Sequence, residues 1–206
     1  QFKIDLIHIH QLFYDSLTWV TLFQKINKPY YFTVHDFRAV CPSFNLLNNN
    51  MEFCNIQTDI NKCQNCLNKS LKNIDIKLWR EKWELFLLNA QAVFAPSKST
   101  QEIINKYYPS LKISVIEHGV DLYETTSDCI RTEIPLKPRN KFRIGLIGAI
   151  GYHKGGKLLD ELIAESNKQG FPFEWVVIGI TSNISENYYA KEKNFIVHGN
   201  YKPNEV

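Results

Sequence analysis

Residues 142–157, FRIGLIGAIGYHKGGK, contain the stretch that decides the fold. An apolar, branched run ends in glycines, a basic cluster follows, and a helical pattern begins at about residue 155. A strand, a glycine turn and a helix in this order place backbone N–H groups and a helix N-terminus where an anion can bind. The stretch therefore predicts one unit of a parallel α/β sheet, with an anion site at the end of its strand.

Strand and helix patterns alternate along the rest of the chain. Apolar runs predict strands at 4–10, 30–34, 92–95, 112–116, 142–148, 173–179 and 194–198. Helical spacing predicts helices over 15–26, 76–90 and 155–168. A capping-box pattern, Ser99 to Glu102, predicts a further helix starting at Ser99. Strands that alternate with helices are typical of parallel sheets joined by crossovers.

A break in this alternation predicts two domains. Residues 122–140 lose periodicity and gain Thr, Ser, Pro and charged residues, which is typical of a linker. We therefore predict Rossmann-like parallel-sheet domains over 1–134 and 135–206, the first with a Cys-containing insertion at 36–75. The chain does not open on Met, and a new helical pattern begins in its last residues. Both domains are accordingly expected to be incomplete.

The composition excludes several classes of protein. The chain has 206 residues, of which 44% are hydrophobic and 22% are charged, as in ordinary globular proteins. Its formal net charge of +3 is too small to indicate nucleic-acid binding. No apolar run approaches the ~20 residues that a membrane-spanning helix needs.

The glycine loop does not fit a dinucleotide site. That site requires the spacing G-x-G-x-x-G, but the glycines here are Gly145, Gly148 and Gly151. It also requires an acidic residue after the second strand to bind the ribose. Residues 177–182 contain no carboxylate, so a dinucleotide-dependent enzyme is disfavoured.

A phosphate-binding P-loop fits only in part. Residues 151–157 satisfy G-x-x-x-x-G-K, and the next position must be Ser or Thr to hold magnesium. That position is Leu158, whose apolar side chain cannot coordinate a metal ion. We interpret the match as accidental.

A third class fits better. Residues 148–155, GAIGYHKG, resemble the G-x(5)-K-G element of family 4 glycosyltransferases, which have the GT-B architecture of two Rossmann-like domains facing a cleft. Four further elements resemble those of the family and follow its order: DLIHIH at 5–10, FTVHD at 32–36, AVFAPS at 92–97 and VIEHGVD at 115–121. The resemblance thus covers nearly the whole chain. It implies a retaining hexosyltransferase that moves a sugar from a nucleotide-diphosphate-sugar donor to a glycan or lipid-linked acceptor in polysaccharide biosynthesis.

The resemblance also implies the site residues. It places the donor diphosphate against Gly148, Gly151, Lys154 and Gly155, with Lys154 as a point charge on the pyrophosphate. It places His35 near the transferred sugar as the catalytic residue. A histidine satisfied by backbone hydrogen bonds is the alternative for His35.

Three more histidines are implied contacts in the cleft: His10, His118 and His153. The chain departs from the family pattern at Ala149, where an Arg is frequent, and at His118, where Asn is usual. The first departure removes one contact to the diphosphate. The acidic E-x(7)-E element, which binds the donor sugar and ribose in the family, would lie beyond residue 206.

The same resemblance implies the cellular setting and leaves alternatives open. It implies a cytoplasmic enzyme that needs no cofactor for catalysis, and it allows peripheral association with the inner face of the membrane. The first alternative is a non-catalytic module that keeps the scaffold and binds a partner through the insertion. A dinucleotide-dependent Rossmann enzyme is the less favoured alternative.

Four cysteines fall within the insertion: Cys41, Cys54, Cys63 and Cys66. The C-x-x-C pair at its end directs two thiolates toward one point, so the set predicts a structural zinc site that orders the segment. Free thiols are the alternative, and disulfides are disfavoured in a reducing cytosol. The fifth cysteine, Cys129, lies in the predicted linker and is expected to be unrelated.

Overall fold

The computed structural model describes residues 3–12, 16–26, 28–71, 73–119, 140–179 and 194–200. The chain forms two compact units, Gln1–Asp121 and Leu122–Val206. Within the described residues, each unit contains one sheet in which all the paired strands are parallel. The predicted fold class, α/β with two Rossmann-like parallel sheets, is therefore confirmed. Residue 134, the predicted domain boundary, lies outside the described residues, as does nearly all of the predicted linker.

The first unit is a four-stranded sheet with helices between its strands. The strands follow the order β1-β2-β3-β4 across the sheet. They are β1 Ile7–Ile9, β2 Tyr30–Thr33, β3 Ala92–Ala95 and β4 Ile113–Val115. The helices are α1 Ser16–Lys25, α2 Ile60–Ser70, α3 Ile76–Leu88 and α4 Lys98–Tyr107.

Helix α3 packs its aromatic face against strand β2. Trp83 and Phe86 are fully buried, and they share one face of the helix because they lie three residues apart. The Phe32 ring meets both of them edge-on, at centroid distances of 5.7 and 5.5 Å. Tyr30 stacks on Phe86 and donates its hydroxyl to the Phe86 carbonyl at 2.6 Å. This packing fixes the strand whose end carries His35.

Helix α2 lies within the Cys-containing insertion, where the sequence analysis predicted no helix. Asp59 caps the helix by accepting a hydrogen bond from the Lys62 N–H at 2.8 Å. Leu67 is the residue of this helix that is buried. The C-x-x-C pair therefore lies on a helix, three residues apart on one face, rather than in a loop.

Helix α4 begins two residues earlier than its capping-box pattern predicted. Ser97 is the N-cap, with extended backbone angles, and its Oγ accepts from the Thr100 N–H at 3.2 Å. Ser99 lies inside the first turn. The prediction that the helix starts at Ser99 was wrong, because Ser97, two residues after the end of β3, accepts the hydrogen bond from the Thr100 N–H and caps the helix.

The second unit is a three-stranded parallel sheet in the order β5-β6-β7. Its strands are β5 Phe142–Ile147, β6 Phe173–Ile178 and β7 Phe195–Gly199. A 3-10 turn, Tyr152–Lys154, leads into helix α5, Gly156–Lys168. Its core consists of Leu159, Ile163, Trp175, Val177 and Phe195. The predicted order of strand, glycine turn and helix is confirmed.

Candidate active site

Three histidines meet at the carboxyl edge of the first sheet. His10 follows β1, His35 follows β2 and His118 follows β4, and parallel strands bring these ends to one edge. His10 Nδ1 lies 3.0 Å from His35 Nε2. The rings of His35 and His118 stack with centroids 5.2 Å apart and planes 4° apart. We call these three residues the histidine cluster, and all three are exposed.

His35 is held in its neutral form. Partial burial lowers the pKa of His35 below its ordinary value, and the adjacent His10 and His118 lower it further because a second positive charge would be repelled. Asp36 acts in the opposite direction on the same pKa. A neutral imidazole can donate a hydrogen bond at one nitrogen and accept at the other. His35 is thus suited to hydrogen-bond a polar ligand.

Both carboxylate oxygens of Asp36 already accept hydrogen bonds. The Gln11 amide donates to Oδ2 at 2.9 Å, and the Arg38 N–H donates to Oδ1 at 2.8 Å. The carboxylate therefore ties the loop after β2 to the loop after β1. The sequence analysis did not identify Gln11, although its place directly after His10 at a strand end is a usable signal.

His8 extends the row of histidines along strand β1. Its Nε2 lies 2.9 Å from the Thr33 hydroxyl, and its ring centroid lies 4.2 Å from that of His10. The side chain of His8 is exposed, like those of the histidine cluster. His8 is the central residue of β1, which is the edge strand of the described sheet.

Three side chains from the helical layer hold the loop that follows the His35–Asp36 pair. Trp79 Nε1, the Tyr108 hydroxyl and Arg80 Nε donate to the carbonyl oxygens of residues 38, 39 and 40, at 2.8, 2.6 and 3.0 Å respectively. These donors are buried, so the bonds are protected from water. The loop is therefore rigidly placed. Arg80 was not identified from sequence, because a charged residue is ordinarily expected on the exposed face of a helix.

The predicted donor residues form one tight loop between β5 and α5. Gly148 and Gly155 have positive φ angles of 116° and 83°, which a residue with a side chain rarely adopts. The Gly151 carbonyl accepts from the N–H groups of Lys154 and Gly156 at 2.9 and 3.0 Å. Lys154 is exposed at the end of the 3-10 turn, beside the N-terminus of the helix. The arrangement can bind an anion through backbone N–H groups and one cation.

Strand β6 holds this loop in place through a close backbone approach. The Gly148 N–H donates to the Ile178 carbonyl at 2.9 Å. A Cβ atom on Gly179 would overlap the Gly148 carbonyl oxygen, and Gly179 itself has a φ of 136°. His153, the fourth predicted contact, lies in this loop with its ring beside Gly151. Only glycine at position 179 permits the observed path of the loop.

The four cysteines of the insertion line one cavity of about 230 Å³ in the first unit. All four are free thiols and are half-buried. Burial raises the pKa of Cys41 to about 11 and raises that of Cys63, although Arg80 opposes the second shift by donating to the Cys63 sulfur. Within the described ranges, no group of three or more His, Cys, Asp or Glu side chains is arranged to hold a metal ion.

Two parallel α/β units with polar side chains and a glycine loop at strand ends define a Rossmann-like protein, a class that binds its ligands at those ends. A family model described as Glycosyltransferase Family 4 matches residues 1–124 of the 206, and the chain belongs to this family. The match contains the histidine cluster and the four cysteines, whereas the glycine loop lies outside it. No curated protein matches the sequence. None of the helices in the described residues is long and apolar enough to cross a membrane.

Proposed function

We propose that this family 4 glycosyltransferase moves a hexose from a nucleotide-diphosphate-sugar donor to a glycan or lipid-linked acceptor, with retention at the anomeric carbon. One observation carries the proposal. Three histidines from three parallel strands meet at a sheet edge where α/β proteins bind ligands, inside the segment that matches the family. Family membership supports the reaction class, and the ability of imidazole rings to donate and accept hydrogen bonds supports a sugar as the ligand of the cluster.

His35 is the proposed catalytic residue. Its Nε2 faces His10, and its Nδ1 makes no hydrogen bond within the described residues. This second nitrogen is available to a hydroxyl of the transferred sugar, while His10 sets the tautomer by donating or accepting at Nε2. His118 stacks on the ring and holds its plane. In this role His35 supports the sugar as positive charge develops on it in the transition state.

The proposed donor site is the glycine loop of the second unit. Gly148, Gly151 and Gly155 let the backbone approach a diphosphate closely, and Lys154 supplies a positive charge to the departing group. The acceptor hydroxyl attacks the anomeric carbon on the face that the diphosphate leaves, and a leaving phosphate oxygen takes the hydroxyl proton. Asp36 has both carboxylate oxygens occupied, which supports a route without a carboxylate nucleophile at this edge.

A transfer assay with matched variants tests the proposal. The protein is screened against uridine and guanosine diphosphate sugars, and both the released nucleoside diphosphate and the anomeric configuration of the product are measured. We expect Lys154→Ala and His35→Gln each to lower kcat/KM by on the order of 10²-fold. Lys157→Ala should stay within about twofold, because this exposed lysine pairs with Glu161 on the helix surface. Equal rates for Lys154→Ala and Lys157→Ala would contradict the donor assignment.

A non-catalytic binding module is the second candidate, and Ala149 favours it because family members frequently have an Arg at this position. In that case the protein would bind a nucleoside diphosphate weakly or not at all, and no donor would turn over. Calorimetric titration of uridine and guanosine diphosphate separates the two candidates. We also propose a cytoplasmic site of action, with peripheral contact to the inner membrane face when the acceptor is lipid-linked.

A further inference from the structure

Four cysteines from separate parts of the insertion surround one cavity. Cys41 comes from the loop after β2, Cys54 from the irregular segment that follows it, and Cys63 and Cys66 from helix α2. A hydrogen bond between the N–H of Cys54 and the Leu46 carbonyl, at 2.9 Å, joins two parts of this segment. Four of the chain's five cysteines lie around this one cavity, and chance does not readily explain that placement.

A buried cation lies against this cavity without a carboxylate partner. Arg80 is 8% exposed, and its Nη2 donates to the Cys63 sulfur at 3.2 Å. Its other hydrogen bonds go to the carbonyl oxygens of Val40, Gln57 and Thr58, and its guanidinium lies over the Tyr107 ring. No ion pair between Arg80 and an acidic residue occurs in the described part of the chain. Burial of a charge is costly, and a negative charge nearby would lower that cost beyond what these hydrogen bonds do.

The backbone beside the cysteines is strained. Between residues 44 and 56, five non-glycine residues have positive φ angles: Phe44, Leu46, Met51, Asn55 and Ile56. The φ of 55° at Ile56 is exceptional because its β-branched side chain crowds the backbone in this region. Such angles persist only where the surrounding structure enforces them. A short antiparallel bridge, Leu47 to Phe53, supplies little regular structure here, so a further constraint is needed.

We propose that Cys41, Cys54, Cys63 and Cys66 bind one structural Zn²⁺ ion as four thiolates, with Arg80 as the buried counter-charge. Four thiols release four protons when they bind zinc, and the resulting centre carries two negative charges that the guanidinium partly neutralises. The four residues line the cavity without yet converging on a common point, so binding requires their side chains to turn inward. The zinc–thiolate centre would then supply both a negative charge beside Arg80 and a constraint on the strained backbone.

Zinc content of the purified full chain, kept reduced, is the first measurement. We expect one zinc per chain in the natural protein and in Cys129→Ser, and none in Cys63→Ser or Cys66→Ser. Where a serine variant fails to fold, the natural chain is loaded with Co²⁺ in place of Zn²⁺ and its absorption spectrum is measured. Four thiolates around Co²⁺ give an intense sulfur-to-metal absorption band. A chain that folds without zinc while all five thiols react with a thiol reagent overturns the proposal. An intact mass that is lower by two hydrogens for each disulfide would also overturn it, because the cysteines would then be paired with one another.

The role of Arg80 has its own test. Arg80→Met should weaken zinc binding by about 10- to 100-fold in competition with a chromophoric chelator, as is typical when a group bonded to a metal ligand is removed. Arg80→Lys, which keeps the charge, should lose less. Lys77→Met is the matched control, since this lysine lies exposed on the same helix and pairs with Glu81. Equal zinc affinity in Arg80→Met and Lys77→Met would overturn the counter-charge assignment.

Discussion

Replacement of Tyr108 by Phe tests whether the loop after β2 is held by side-chain hydrogen bonds. The Tyr108 hydroxyl donates to the Ala39 carbonyl at 2.6 Å, and the two residues are only 1% and 2% exposed. Phe preserves the packing of the ring and removes only the donor. Because water cannot reach the carbonyl, its lost hydrogen bond should lower the free energy of unfolding by about 1–3 kcal/mol. The effect should lie near the upper end, since the bond is short and buried.

Urea unfolding, followed by circular dichroism and tryptophan fluorescence, measures this loss. With a slope of about 1–3 kcal/mol per molar urea, the midpoint should fall by on the order of 1 M while the slope itself stays constant. Tyr31→Phe is the control. The Tyr31 ring is half-buried on strand β2, and within the described residues its hydroxyl makes no hydrogen bond, so loss of this hydroxyl should change the free energy of unfolding by no more than about 0.5 kcal/mol. Equal midpoints for the two variants would refute the reasoning, because they would show that the Ala39 carbonyl finds another donor.

Three further outcomes follow from local geometry. Since partial burial and then the neighbouring histidines lower the pKa of His35, the unfolded chain gains a proton there first as the pH falls. The stability that this shift contributes is therefore fully present above about pH 6.5 and is lost as the pH falls toward the folded pKa of His35. His35→Gln should flatten that part of the plot of urea midpoint against pH. Identical profiles would count against the shift. Gly179→Ala should destabilise the second unit by about 1–3 kcal/mol in thermal unfolding, because its Cβ overlaps the Gly148 carbonyl, and a neutral result would contradict the close approach. Ser97→Ala should lower the free energy of unfolding by about 1 kcal/mol in the same measurement, whereas Ser99→Ala should change it little. The reverse order would show that Ser99 caps the helix.

The proximity of the three histidines could be predicted from the sequence, because it follows from the topology of a parallel sheet. His10 and His35 each follow an apolar, branched run, and His118 follows another. Once those runs are assigned to one parallel sheet, their carboxyl ends must lie at one edge. The ring stacking of His35 on His118 and the 3.0 Å contact with His10 were not accessible, because they depend on the exact course of three loops.

Helix α2 and the burial of Arg80 were missed for a common physical reason. The helix contains several Asn and Lys residues, and its apolar spacing rests on Cys63 and Leu67, so the pattern is weak. Arg80 is buried because its guanidinium finds carbonyl oxygens and a sulfur on the neighbouring segment. Both features result from contacts between the insertion and helix α3, and periodicity within one segment does not report such contacts.

The insertion also shares the apolar interior of the first unit. Val40, Leu46 and Leu67 belong to one continuous cluster of buried side chains that includes residues of the sheet and of its helices. The insertion therefore cannot be exchanged as an independent unit. A chimera in which it is replaced would expose to solvent the part of the cluster that it now covers. Substitutions that are meant to leave this core intact belong at its protruding side chains, such as Met51 and Phe53, which are about half exposed. Laboratory evolution of this enzyme should therefore accept point substitutions there far more readily than transplanted segments.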